Sequence, residues 1–221
     1  MSLERIWPDR AAVTADELVG DAPGNQAPAA RPWVSGIMVC SLDGRATVAG
    51  TSRPLGGPQD LQLLLALRRR ADALIIGPGT VRAEGYGPLP CPAVLVSRSF
   101  DVPWEAGLFA APGQRVLLYT PAGEAPPPVA ADVECVAHVE LPAVLADLRA
   151  RGVRRLLCEG GPTLNRALLA AGLLDELYLT LSPVVSGEAA APPIITAGEP
   201  ARLALRSVAT ADGDLYLRYE V

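Results

Sequence analysis

The sequence predicts an α/β fold: a mostly parallel central sheet with flanking helices and a C-terminal antiparallel hairpin. Three observations predict it. Short continuous apolar runs, of the kind buried on both faces of a parallel sheet, recur from Trp33 onward. Helical patterns or Gly/Pro-rich turns separate them, as parallel pairing requires. Beyond residue 176 the pattern becomes all strand and carries a strong hairpin signal at Ala211-Asp-Gly-Asp.

Residues 1–30 read as an N-terminal arm and linker, and 31–221 as a single domain. In the arm, Thr14 stands three residues before Glu17, a capping-box spacing for a short helix over 14–19, and Asp21–Pro28 reads as the linker. Trp33–Cys40 is a strand and Leu61–Leu67 a helix ending in Arg68-Arg69-Arg70. Ala73–Ile76 is a strand followed by a turn at 77–80; Ala93–Val96 and Arg115–Tyr119 are further strands. After a proline-rich loop at 121–129 come a strand at 133–136, a helix at 141–151, the strand Arg155–Cys158 and a helix at 163–171. Strands at 177–181, 203–208 and 215–219 complete the chain.

Composition excludes several chemistries. All 19 basic residues of the 221 are arginine and the single histidine is His138, so there is no Schiff-base or pyridoxal lysine, no Walker A lysine and no HExxH zinc site. Any phosphate must be met by arginine, backbone amides and hydroxyls. The net charge of -5 argues against nucleic acid and anionic membranes, and favours a small-molecule partner. Cysteines at 40, 91, 135 and 158 are too widely spaced for a metal motif and are expected as free thiols, so no metal is expected. MSLERIWPDR carries neither a basic leader nor an apolar stretch, and no apolar segment approaches the ~20 residues of a membrane span, so a cytoplasmic protein is expected.

Three strand ends carry candidate binding groups. Leu156–Ala167 runs from a buried strand through Glu159, Gly160 and Gly161 into a helix with Pro162, Thr163 and Leu164 in its first turn. Free amides at such a helix start suit a phosphate or pyrophosphate, and Glu159 offers a carboxylate at the lip of the crevice. Gly77, Gly79 and Thr80 repeat the arrangement after the strand at 73–76. Two glycine-bearing crests in one doubly wound sheet line a shared crevice, although neither reads GxGxxG. Ser97, Arg98 and Ser99 end the strand at 93–96, hydroxyls flanking a guanidinium as a 2′-phosphate needs. A tight turn, or a merely polar strand end, accounts for each of these taken alone. Asp43 in Ser41–Arg45 sits at a turn, and His138 lacks clustered partners and reads as structural.

Taken in order, SLDGR at 41–45, LRRRADALIIGPGTVRAE at 67–84, LVSRS at 95–99, CEGGPTLNRALLAAGLLDELYL at 158–179 and SPVVSG at 182–187 resemble the pyrimidine reductase family of riboflavin biosynthesis. The family includes the reductase half of bifunctional deaminase-reductases. The resemblance covers about Trp33 to Val221 and implies a dihydrofolate-reductase-like fold, NADPH as cofactor and a homodimer. The implied reaction is reduction of 5-amino-6-(5-phosphoribosylamino)uracil, a phosphorylated pyrimidine, by hydride addition at C1′. The zinc deaminase signature needs HxE together with PCxxC, and no PCxxC is present.

By the same resemblance Gly77, Thr80, Ser97, Arg98 and Gly160–Leu164 belong to the cofactor, and Ser52, Arg68 and Glu159 to the substrate. Glu84, Asp43 and Glu159 are the candidate catalytic carboxylates. Two departures stand out. Glu84 replaces the family's usual aspartate and is followed by Gly-Tyr-Gly-Pro-Leu-Pro without the family's downstream arginine; Pro54, preceded by Arg53, replaces the usual tryptophan. Arg45, Arg53 or Arg82 is then left to meet the substrate's phosphate. The alternatives are reduction of another pterin- or pyrimidine-like heterocycle on the same fold, or NADPH binding without turnover.

Overall fold

The structure, a computed structural model, describes residues 3–20, 27–121 and 124–221. Residues 21–26 of the expected linker and residues 122–123 of the proline-rich loop lie outside the described residues.

Seven parallel strands form the body of one sheet. The four-residue strands among them are long enough to cross it, and the central one, β4, is apolar and buried on both faces. Along the chain these are β3 (Trp33–Cys40), β4 (Ala73–Ile76), β5 (Ala93–Val96), β6 (Arg115–Tyr119), β7 (Asp132–Val136), β8 (Arg155–Cys158) and β9 (Glu176–Leu181). Antiparallel strands β10 (Ala204–Ala211) and β11 (Asp214–Glu220) continue it, and β1 (Leu3–Trp7) and β2 (Ala11–Val13) complete the edge. The spatial order is β2-β1-β10-β11-β9-β3-β8-β4-β5-β6-β7. The β10–β11 connection is the expected hairpin, with Asp212 at φ 51° and Gly213 at φ 92°, the left-handed pair of a two-residue turn.

Alternate side chains on each strand face opposite cores. Leu74 and Ile76 of β4 join Leu63, Leu67, Leu95, Phe109 and Leu118 beneath α2 (Pro58–Arg70) and α3 (Pro78–Glu84). Ala73 and Ile75 join Val34, Val94, Leu117, Leu145, Leu148 and Leu168 beneath α4 (Leu141–Ala150) and α5 (Pro162–Ala170). A strand completely buried on both sides reads as continuous hydrophobicity, as β4 does.

Two segments differ from the sequence expectation. The turn at 77–80 is the start of α3, with Gly77 as N-cap and Pro78 in the first turn; both residues break helices internally but suit a helix start. The same chemistry starts α2 at Pro58, three residues before the expected position. Residues 3–20 of the expected arm lie against the body. β1 pairs with β10, and α1 (Ala15–Val19) packs on α2 with Leu18 and Val19 buried. Thr14 and Glu17 form the anticipated capping box: Glu17 N donates to Thr14 Oγ1 at 3.2 Å, and Thr14 N to Glu17 Oε2 at 2.7 Å. Arg69 and Arg70 at the end of α2 hold α1 from the other side, on the Asp16 carboxylate at 2.7 Å and its carbonyl at 2.9 Å. Among the described residues, no helix is long and apolar enough to cross a membrane.

Candidate active site

The carboxyl ends of β3, β8, β4 and β5 open into one cavity of about 690 Å³. Crevices of this kind form where neighbouring parallel strands send their helices to opposite faces of the sheet. One group of lining residues comes from the two glycine crests and the end of β5: Gly77, Gly79, Thr80, Arg82, Ser97–Ser99 and Gly161–Leu164. The other comes from β3, α2 and the loop before α2, with Ile37, Ser52, Asp60 and Leu64; Glu84, Tyr86 and Glu159 complete the wall.

The crests interlock. Gly77 N donates to Gly160 O at 2.7 Å, and a cis peptide joins Gly160 to Gly161. A Cβ at Gly161 would lie 2.7 Å from Thr80 Oγ1, and one at Gly77 would lie 3.4 Å from Gly161 N. Only glycine fits at 161 without displacing Thr80. Gly161 is the N-cap of α5 and has no side-chain cap; the first-turn amides of that helix therefore lack internal partners beside the cavity, where an anion can satisfy them.

Glu159 is the most enclosed charge of the wall, its side chain 3% exposed. Arg68 Nε donates to Oε1 and Arg68 Nη2 to Oε2, both at 2.7 Å, a bidentate fork. Tyr86 Oη donates to Oε2 at 2.5 Å, and Arg68 Cζ lies 5.7 Å from the centre of the Tyr86 ring. Burial, then the Glu159 charge, pushes the Tyr86 phenol well above its usual pKa, so it remains a donor. For Arg68, burial opposes the charge, but the bonds from Glu159 outweigh it and raise its pKa.

Glu84 fastens the loop above the cavity. Its Oε1 accepts from Ser52 N and its Oε2 from Thr51 Oγ1, both at 2.8 Å. Asp43 is not brought to the cavity. Its carboxylate accepts from Ser41 Oγ at 2.6 Å, Ser186 N at 2.9 Å and Gly187 N at 3.1 Å. Those bonds, the serine hydroxyl first, hold its pKa at about 2. Asp43 therefore pins the 182–187 loop to the turn after β3.

Of the residues anticipated from sequence, Ser52, Gly77, Thr80, Glu84, Ser97, Arg98, Glu159, Gly161, Pro162, Thr163 and Leu164 line the cavity together. Gly160 lies directly behind Gly161, and Arg68 is paired with Glu159 and is not part of the cavity lining. Of the three arginines weighed for a phosphate, only Arg82 lines the cavity, where it meets Asp101 at 2.7 Å. Arg45 is turned to the Ala191 carbonyl at 3.0 Å and Arg53 to the Glu84 carbonyl at 3.3 Å. Sequence reasoning missed Tyr86 and Asp60. Tyr86 falls in the stretch after Glu84 that departs from the family pattern, and that departure was the one available signal.

The RibD C-terminal domain family model matches residues 32–217. The chain is 28% identical over 219 residues to the 2,5-diamino-6-ribosylamino-4(3H)-pyrimidinone 5′-phosphate reductase of Methanothermobacter thermautotrophicus, covering 86% of this chain and 99% of that protein. It is 30% identical over 186 residues to the protein of the same name from Archaeoglobus fulgidus, covering 71% and 83%. Among solved structures it is similar to a pyrimidine reductase-like protein of Corynebacterium diphtheriae, with TM-score 0.77, 26% identity and 95% and 99% of the two chains covered. The fold is also that of Enterococcus faecalis dihydrofolate reductase, at TM-score 0.51 and 16% identity over 85% of this chain and 95% of that one.

Proposed function

The chain belongs to the RibD C-terminal domain family and is a reductase of riboflavin biosynthesis, and from that premise we propose that it uses NADPH to reduce a 5-amino-6-(5-phosphoribosylamino)pyrimidine at C1′. The single observation that carries this reading is the continuous cavity joining two interlocked glycine crests to the buried Glu159. It offers an anion-binding helix start, a polar strand end and a carboxylate in one crevice.

When bound, the nicotinamide supplies the hydride; the protein's task is to hold its ring against C1′. The amides opening α5 and the Thr80 hydroxyl take the pyrophosphate. Ser97, Arg98 and Ser99 take the 2′-phosphate that distinguishes NADPH from NADH. Ring opening breaks C1′–O4′: the amino nitrogen gives up a proton and O4′ gains one. Hydride then enters at C1′ and a proton returns to nitrogen, so the reaction consumes one hydride and one proton. Glu159, with three of its lone-pair directions occupied by Arg68 and Tyr86, keeps room to accept from a substrate hydroxyl. Glu84 holds Ser52 where its hydroxyl can face the substrate. Residues 31–221 form the reductase domain of this proposal, acting as a cytoplasmic homodimer; sedimentation tests the dimer.

Incubation with NADPH and the phosphoribosylamino-pyrimidine is expected to deplete nicotinamide absorbance. Tight NADPH binding without depletion overturns the enzyme reading, and depletion with a different heterocycle alone, such as a pterin, overturns the substrate. Arg98→Ala is expected to reduce the NADPH-over-NADH preference by roughly tenfold or more, the loss of one charge-assisted contact of ~1.5–3 kcal/mol. An unchanged ratio removes Arg98 from the 2′-phosphate.

A further inference from the structure

One ion pair of the cavity takes no part in that chemistry. Arg82 Nη2 donates to Asp101 Oδ1 at 2.7 Å, joining α3 to the loop after β5, and both residues line the cavity. Their side chains are 46% and 71% exposed, so the pair sits at the mouth, where little is lost by opening it. It lies on the β5 side. Residues two apart on a helix point about 200° apart, so Glu84 reaches the loop at 51–52 while Arg82 turns the other way, to a carboxylate three residues beyond Arg98. The turn that presents Asp101 is a built one. Phe100, just before it, holds the left-handed φ of 56° that non-glycine residues rarely adopt, and its ring lies 5.5 Å from that of Trp104, with both packed against the core. Among the described residues, Arg82 is the only cation that meets Asp101.

Two opposed recognition chemistries therefore meet at the end of β5. A guanidinium suits the 2′-phosphate of an NADPH ribose, whereas a carboxylate suits the free hydroxyl of an NADH ribose. We propose that Arg82 and Asp101 together set the cofactor choice: Arg82 leaves Asp101 to become, with Arg98, the second guanidinium on the 2′-phosphate, and Asp101 is the competitor that holds it back. The inference rests on the cofactor reading above and adds the residues that tune it. A phosphate monoester carries about −1.5 to −2 charges at neutral pH, which two guanidinia balance. Asp101 opposes it twice, by occupying Arg82 and by its own charge.

NADPH and NADH are titrated, with nicotinamide fluorescence as the signal, into the wild type, Arg82→Gln and Asp101→Asn. Arg82→Gln is expected to weaken NADPH roughly tenfold or more, the loss of one charge-assisted contact, without weakening NADH by more than about threefold. Asp101→Asn is expected to tighten NADPH roughly 3–10-fold and to weaken NADH. Melting temperatures are expected to hold, since the pair is exposed. A bridge that merely fastens α3 to the loop would move both variants in the same direction. NADPH affinity that does not fall in Arg82→Gln, or does not rise in Asp101→Asn, overturns the proposal. So does an equal loss of NADPH and NADH in Arg82→Gln, which places Arg82 on the pyrophosphate. Wild-type protein that binds neither nucleotide, or binds NADH as tightly as NADPH, overturns the cofactor reading itself.

Discussion

Replacing Arg68 with alanine is expected to destabilise the protein by about 3–5 kcal/mol, because it leaves the Glu159 carboxylate buried without its counter-charge. For a chain of this length that corresponds to a fall in melting temperature of roughly 6–20 °C. Arg68 and Glu159 side chains are 19% and 3% exposed, so solvent cannot replace the guanidinium. The family resemblance assigns Arg68 to substrate binding. The geometry routes that role through Glu159: Arg68 sets the carboxylate's orientation, and NADPH affinity is expected to survive while kcat/KM falls. A thermal melt of Arg68→Ala, Glu159→Gln and the double variant checks it. If the pair is coupled as described, the double variant recovers part of the stability lost by Arg68→Ala. Strictly additive losses would mean the fork contributes nothing.

Gly161→Ala is expected to weaken NADPH binding at least about tenfold, or ~1.4 kcal/mol. The added methyl meets Thr80 Oγ1 at 2.7 Å, so either the hydroxyl turns away or the crests separate. Both outcomes degrade the pyrophosphate cradle while leaving the two cores intact. Cofactor fluorescence titration reads the effect directly. Removing the hydroxyl as well, in Gly161→Ala/Thr80→Ala, is expected to recover part of the affinity lost to the collision. An unchanged dissociation constant in the single variant would place the cofactor elsewhere.

The parallel body of the sheet was legible because β4, and β5 and β8 over three of their four residues, are buried on both faces and therefore read as apolar runs, with β3 mostly apolar beside them. β1 was not: Leu3–Trp7, one place in from the edge strand β2, has Glu4 and Arg5 in its middle, and its partner β10 lies about two hundred residues on. The glycine crests and the strand end at Ser97–Ser99 were readable since each is local, a few residues binding through backbone and short hydroxyls. Tyr86 and Arg68 were not readable as a cage for Glu159, because that contact spans 73 and 91 residues and depends on how α2 lies across the sheet. Asp60 was hidden for a different reason. An acidic residue in a first helical turn is ordinary dipole chemistry, and only the cavity beside it makes it unusual.

Helix α2 carries Asp60 in its first turn and Arg68 near its last, and the end of that helix divides three consecutive arginines between interior and surface. That makes the element sensitive to length in a way it is not sensitive to identity. Inserting one residue between Asp60 and Arg68 rotates everything beyond it by about 100° and advances it by ~1.5 Å. Arg68 would swing away from Glu159, Leu67 would take its phase, and Arg69 would turn off Asp16 and release α1. Substitutions along the exposed side of α2 are therefore expected to be absorbed, whereas a single-codon insertion or deletion inside it disconnects the cavity from its buried charge.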